Sequence, residues 1–223
     1  MLQAFGENLP LAIGIAISPV PIIAVILMLI TPRARRNGPA FLGGWLLGLA
    51  VVGTIVLIVA GASDVATSRG PSRAVAVVKL VLGLLLLVMA WRQWRSRPHP
   101  GEESPMPKWM RSLDTFTPGR SVAVGALLSG VNPKNLILCA SMAAAVAQSG
   151  LPAPRQAFTM LALIIVGSLG IIVPVAAYFM YGKRAQGMLD EWKVWLAANN
   201  ATVMAVLFVV FGVTLIGEGI GGI

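Results

Sequence analysis

Asn132, Pro133 and Lys134 stand together in the middle of a run that is otherwise apolar, and Ser18, Pro19 and Pro21 stand at a matching depth in another. Serine and asparagine favour the position that caps a helix start, and proline fits the first helical residue, where its missing N–H costs nothing. Each break is therefore read as the start of a new helix. A helix N-terminus offers free N–H groups and about half a positive charge, which favours anions. Lys134 adds a full positive charge at one of the two places. An ammonium at a bilayer centre costs at least ~2.5–3.5 kcal/mol, so it should face protein or a water-filled cavity. The chemistry suggested is the binding of an anionic group by Ser18, Pro19, Pro21, Ser129, Asn132, Pro133 and Lys134. The plainer alternative is a pair of proline kinks whose freed carbonyls are satisfied by neighbours. On the first reading, Lys134→Met weakens anion binding by roughly 1.5–3 kcal/mol while stability holds or improves.

The two runs repeat each other. Leu11-Ala-Ile-Gly-Ile-Ala-Ile-Ser-Pro-Val-Pro21 matches Val122-Ala-Val-Gly-Ala-Leu-Leu-Ser-Gly-Val-Asn-Pro133, with Gly14 and Ser18 aligned to Gly125 and Ser129. Paired interruptions in the two halves of a membrane chain point to a transporter's substrate site. Lys79 is the other intramembrane cation. It either snorkels to the headgroups or serves as a second cation on an anion's path.

Composition sets the class. Of the 223 residues 57% are hydrophobic and 11% charged, and the mean hydropathy is +0.84, which no soluble domain of this size matches. The apolar residues form continuous runs and not alternating strands, so helices and not a barrel are expected. The net charge of +9 does not indicate nucleic acid, because the basic residues lie between apolar runs, where orientation signals belong. Met1 to Glu7 holds no Lys or Arg, and the run that follows is read as a retained first span and not as a signal peptide.

Six spans are drawn at about 8–31, 39–61, 72–92, 119–148, 154–182 and 196–217. Each supplies the ~20 residues that a ~30 Å hydrocarbon core requires. The fourth and fifth are long enough to imply a tilt, a kink or a tail outside the core. Twelve Lys and Arg fall in the 32–38, 92–120 and 183–195 loops, against three (Arg69, Arg73 and Arg155) on the other side. The positive-inside rule then puts both termini and the 62–71 loop outside the cytoplasm. The expected fold is all-α integral membrane, an inverted 3+3 repeat with helices 1 and 4 broken. Residues 1–95 form one three-helix repeat, 96–118 a cytoplasmic linker with a short amphipathic helix, and 119–223 the second repeat. Ala40-Phe41 with Gly53 echoes Ala157-Phe158 with Gly170.

Two loops carry amphipathic patterns. Met106, Trp109, Met110 and Leu113 share one helical face; Met188, Leu189, Trp192, Trp195 and Leu196 share another. Both suit interfacial helices on the inner leaflet, or ordinary loops with tryptophan anchors. If the first is a docking surface, replacing Trp109 and Met110 abolishes transport and leaves the protein folded with anion binding intact. Gly44 and Gly48 form a Gly-x-x-x-Gly face, for helix packing inside the monomer or, alternatively, for a homodimer.

What is missing also discriminates. No span has a central Asp, Glu or His, so no metal cage and no carboxylate proton relay is expected. No nucleophile–base set lies within the membrane, no cofactor is implied, and the chain is not expected to be an enzyme. His99 lies between prolines in the linker. The single cysteine, Cys139, is read as core packing.

Asn132-Pro133-Lys134 opening the broken fourth span, with Ser18-Pro19-Val20-Pro21 in the first, resembles the lysine-exporter superfamily. Across all six spans the chain is similar to its GAP family, the sulfolipid- and peptidoglycolipid-addressing proteins. The resemblance implies a multi-pass protein of the bacterial inner membrane that helps to move glycolipids or polar small molecules out of the cytoplasm. Its partners would be membrane lipids and, for a scaffold, a larger lipid exporter. Thiol-relay members need two intramembrane cysteines, and this chain has one; cation exporters carry acidic or histidine-rich spans, absent here. Amino-acid exporters share the proline motifs and stay open as an alternative.

Overall fold

The computed structural model describes residues 1–66, 73–97 and 115–221, and all the regular structure in them is helical. In order the helices are α1 (Leu2–Ala16), α2 (Pro19–Leu29), α3 (Ala34–Ala66), α4 (Arg73–Arg95) and α5 (Pro118–Gly130). They continue with α6 (Pro133–Ala147), α7 (Ala153–Gly167), α8 (Leu169–Tyr181) and α9 (Ala185–Ile220). The amphipathic pattern at Met106 to Leu113 and most of the 96–107 linker lie outside the described residues, as do residues 67–72 and the side chain of Lys79, whose backbone is in α4.

Both expected breaks are present. α1 and α2 meet at a 55° bend, and α5 and α6 at 65°. Local chemistry explains the positions: a residue before proline is pushed out of the helical region. Ser18 accordingly is extended at φ −120°, ψ 91°, and Asn132 sits at φ −59°, ψ 120°. Pro19 and Pro133 then open the next helices at the first position, as expected.

A third break answers the length of the fifth span, for which a kink is one of the three readings, although the expected repeat has only helices 1 and 4 broken. The fifth span divides into α7 and α8 at a 62° bend, so helices 1 and 4 are not the only broken ones. No proline marks the spot. The bend falls at Gly167-Ser168, where Ser168 Oγ donates to Ile164 O at 2.7 Å, and Gly/Ser pairs are known kink sites. Packing supplies the rest. Gly170 lies so close to the Ala16 carbonyl at the end of α1 that a Cβ there would overlap it.

Among the described residues two helices, at Ala34–Gly61 and Ala185–Ile220, are long and apolar enough to cross a membrane, and each bent pair adds one more if taken as a single broken span, five at most. The expected third span, 72–92, is helical as α4 but does not enter that count. Large apolar residues run exposed down one face of α3 at Leu47, Val51, Ile55 and Ile58. That i, i+4 stripe is what contact with lipid demands and water would penalise.

The C-terminal helix also corrects the sequence reading. Residues 183–195 do not form a separate amphipathic helix ahead of a span at 196–217; α9 runs unbroken for 36 residues, ~54 Å. Nothing between Met188 and Leu196 is a helix breaker, and Lys193 pairs with Asp190 one turn back.

By packing, the described chain divides into two compact units. One comprises Met1–Asp64 with Met106–Trp195, the other Val65–Pro105 with Leu196–Ile223. Each unit draws on both sequence halves, 1–95 and 119–223. In the first unit the Gly44-x-x-x-Gly48 face is filled from within: Gly44 meets the Val122 backbone, and Gly48 meets Ala126 and Ser129, all on α5. In the second, Gly83 and Gly212 let α4 and α9 approach each other closely. Cys139 is buried, its Sγ donating weakly to Leu49 O at 3.5 Å, in keeping with a packing role.

Candidate functional site

Every helix break makes a C-terminus as well as an N-terminus. At the first break α1 ends on carbonyls that the interrupted helix leaves without N–H partners. Lys134, one residue into α6, reaches across to them. Its Nζ donates to Gly14 O at 2.8 Å, Ile17 O at 2.9 Å and Ser18 Oγ at 2.8 Å. An ammonium has three hydrogens, and all three are in use. The side chain is 2% exposed. Its positive charge lies on the negative end of the α1 dipole, a favourable placement.

Asn135 completes the junction. Its Nδ2 donates to Leu128 O, at the end of α5, at 3.0 Å, and its Oδ1 stands 3.1 Å from Ser18 Oγ. Ser18 has a single hydrogen, which serves either Ile15 O at 2.7 Å or Asn135 Oδ1. Two adjacent residues of α6 thus tie together the C-terminal ends of both interrupted helices. Asn135 was missed in the sequence; the signal was an amide directly after the lysine in an apolar run.

The individual candidates separate clearly on this geometry. Asn132 caps α6 as expected, its side-chain oxygen accepting from Lys134 N at 3.1 Å. Ser18 occupies the capping position of α2 but makes no capping bond. Pro21 removes the N–H of the third helical residue, and the Ser18 hydroxyl is turned away from that of the second, Val20, toward Ile15 O, Asn135 Oδ1 and Lys134 Nζ. Pro19 and Pro21 also strip two of the first three N–H groups from α2. That start is a poor anion site. At α6, Pro133 has no N–H and that of Lys134 goes to Asn132. Ser129 is the repeat partner of Ser18 and bonds backwards in the same way, to Ala126 O at 3.1 Å. Pro19 and Pro21 are buried, and Pro133 is exposed.

Lys134 therefore faces protein, as an ammonium at that depth should, and in this conformation the carbonyls of α1 occupy it. Its removal would leave those carbonyls without a donor, so a loss of stability is now expected in place of a gain or neutrality. The repeat is also unequal at this point. Lys134 corresponds to an apolar residue in the first half, so the tie runs one way only, from α6 to α1.

A comparison with family models matches residues 9–221 to Sap, the sulfolipid-1-addressing protein family. The match takes in all three breaks and every residue of the junction. The chain belongs to the sulfolipid-1-addressing protein family. Comparisons with curated proteins and with solved structures found no match.

Proposed function

We propose that this chain is a transporter, or the membrane component of one, that moves an anionic amphiphile such as a glycolipid out of the cytoplasm. The observation that carries the reading is the junction itself. In a chain of the sulfolipid-1-addressing family, a buried ammonium on one broken helix holds the open end of another. Irregular backbone at membrane depth is tolerated only where it is buried in protein or lines a cavity, and transporters place their substrates at such breaks. In this reading the headgroup binds at the break by competing with the α1 carbonyls for Lys134. The helix ends come apart as it does so. A cleft of about 580 Å³ between α3 and α7, lined by Leu57, Ile58, Met160 and Leu161 among others, offers apolar surface for a chain beside that path. It favours an amphiphile over an amino acid. The reading takes the six spans as an inverted 3+3 repeat in the bacterial inner membrane, both termini outside, working as a carrier and not as an enzyme.

Two experiments test it. The first reconstitutes the purified chain in vesicles with a sulfated glycolipid probe on one leaflet and measures its appearance on the other. Translocation by the chain alone supports a transporter. No translocation, together with loss of a surface glycolipid in a deletion strain, reduces it to a component that serves a larger exporter. A deletion strain that keeps its surface lipids and accumulates amino acids overturns the lipid reading. The second is topological. Single cysteines beside Arg155 are expected to react with an impermeant thiol reagent in intact cells, and those beside Arg35 only after lysis; the reverse pattern inverts the orientation.

A further inference from the structure

A second polar cavity lies away from the junction, and its chemistry is more specific. It has a volume of about 630 Å³ and is lined by Arg33, Arg35, Arg36 and Asn37 where α3 begins, by Thr117 at the start of α5, and by Tyr178 of α8. In the sequence the three arginines served only to set orientation. The structure gathers them around one concavity with the positive ends of two helix dipoles, those of α3 and α5.

Asn37 makes this more than a basic patch. It is fully buried, and its Nδ2 donates to Phe116 O at 2.9 Å. That bond fixes the orientation of the amide, since the flipped form would set two acceptors against each other. Its Oδ1 is left buried with no protein partner. A buried unpaired oxygen is costly, and few native groups are left so. A fully deprotonated anion such as a sulfate ester cannot relieve it, because it donates no hydrogen. A hydroxyl can.

We propose that this cavity binds a headgroup that carries an anionic ester beside a free hydroxyl, as a sulfated or phosphorylated sugar does. The guanidinium groups of Arg35 and Arg36, with the helix starts, take the anion. Asn37 Oδ1 accepts from the hydroxyl, and Tyr178 closes the side. Arg33 Nη1 reaches Phe116 O at 3.4 Å and Thr115 O at 3.5 Å, which holds the α5 side of the cavity in register with Asn37. The proposal rests on the transport reading in one respect. The arginine-rich side faces the cytoplasm by the positive-inside rule, so this is where a headgroup is first held before it reaches the breaks. The same chemistry belongs to a soluble sugar ester, and the two sources are separated by experiment.

The test uses the full chain in discs of neutral lipid, with affinity read by thermophoresis. The probes are octyl glucoside 6-sulfate, octyl sulfate, octyl glucoside and glucose 6-sulfate. The sulfated glycoside is expected to bind tightest, octyl sulfate more weakly for want of the hydroxyl, and octyl glucoside not measurably. Arg35→Gln with Arg36→Gln is expected to weaken the sulfated glycoside about tenfold or more. Both are exposed side chains, so the double variant is expected to fold, and circular dichroism checks this. Glucose 6-sulfate binding as well as the amphiphile assigns the site to a soluble ester. Equal affinity of wild type and the double variant overturns the site, as does equal binding of octyl sulfate and the sulfated glycoside. A double variant that loses binding but exports normally in cells keeps the site and overturns its place in transport. Lost export with unchanged binding does the opposite.

Discussion

Lys134→Met is expected to destabilise the protein by about 3 kcal/mol and to abolish export. The two effects have separable causes. Three acceptors lose their donor, and each buried unsatisfied group costs ~1–3 kcal/mol. Removal of the ammonium from a membrane interior returns ~2.5–3.5 kcal/mol on insertion scales. At mid-range the acceptors outweigh the lysine, because Gly14 O and Ile17 O belong to a helix end whose carbonyls the break leaves without N–H partners. Ser18→Ala removes one acceptor and leaves both carbonyls on Lys134, so its cost should be nearer 1 kcal/mol. Denaturation in mild detergent by titrated sodium dodecyl sulfate ranks the two variants. A methionine variant as stable as wild type would mean that the α1 carbonyls find other donors, and the junction would not be held by charge. A destabilised variant that still exports at wild-type rate per folded molecule would leave Lys134 structural and remove it from the transport path.

The break positions were legible because proline acts on its immediate neighbours. Pro19 and Pro133 fix their own torsions and restrict the residue before, and the asparagine at 132 caps as its type predicts. The same local logic, carried two residues further, shows that Pro21 removes one of the two N–H groups Ser18 could cap; that its hydroxyl turns to the junction instead was not legible. What Lys134 touches was not legible. Its acceptors lie 116 to 120 residues earlier in the chain, and only the folded packing of α6 against α1 brings them within reach. Reading each break as an N-terminus captured its positive end and passed over the negative end just before it. The bend at Ser168 was hidden for a related reason. Gly167, Ser168 and Gly170 permit a kink without demanding one, and the close approach of α1 at Ala16 selects it. Asn37 is the extreme case. Its fixed amide and unpaired oxygen depend on a carbonyl 79 residues away, so the sequence offered only a polar residue after three arginines.

The adjacent glycines 43 and 44 provide the sharpest contrast in expected effect. A Cβ built on Gly44 would overlap the carbonyl oxygen of Val122, while one on Gly43 meets no atom within 4 Å. The two positions differ by ~100° around α3, enough to turn one toward α5 and the other away. Backbone cannot yield as a side-chain tip can. Gly44→Ala must push α3 and α5 apart, loosening the contacts of Gly48 with Ser129 and of Gly125 with the Phe41 carbonyl along the same seam. A loss of ~1–3 kcal/mol is expected for alanine, and Gly44→Leu should give no folded protein. Gly43→Ala should be neutral or stabilising by up to ~1 kcal/mol, since alanine is the better helix former. Yield of monodisperse protein from mild detergent and midpoints of thermal unfolding provide the comparison. The pair also decides between the two readings of the Gly-x-x-x-Gly face. If that face served a homodimer, Gly44→Ala would break a crosslinkable dimer and leave the monomer's unfolding midpoint unchanged. A seam inside the monomer requires the midpoint to fall whatever the oligomeric state, and equal midpoints for the alanine variants at 43 and 44 would refute it.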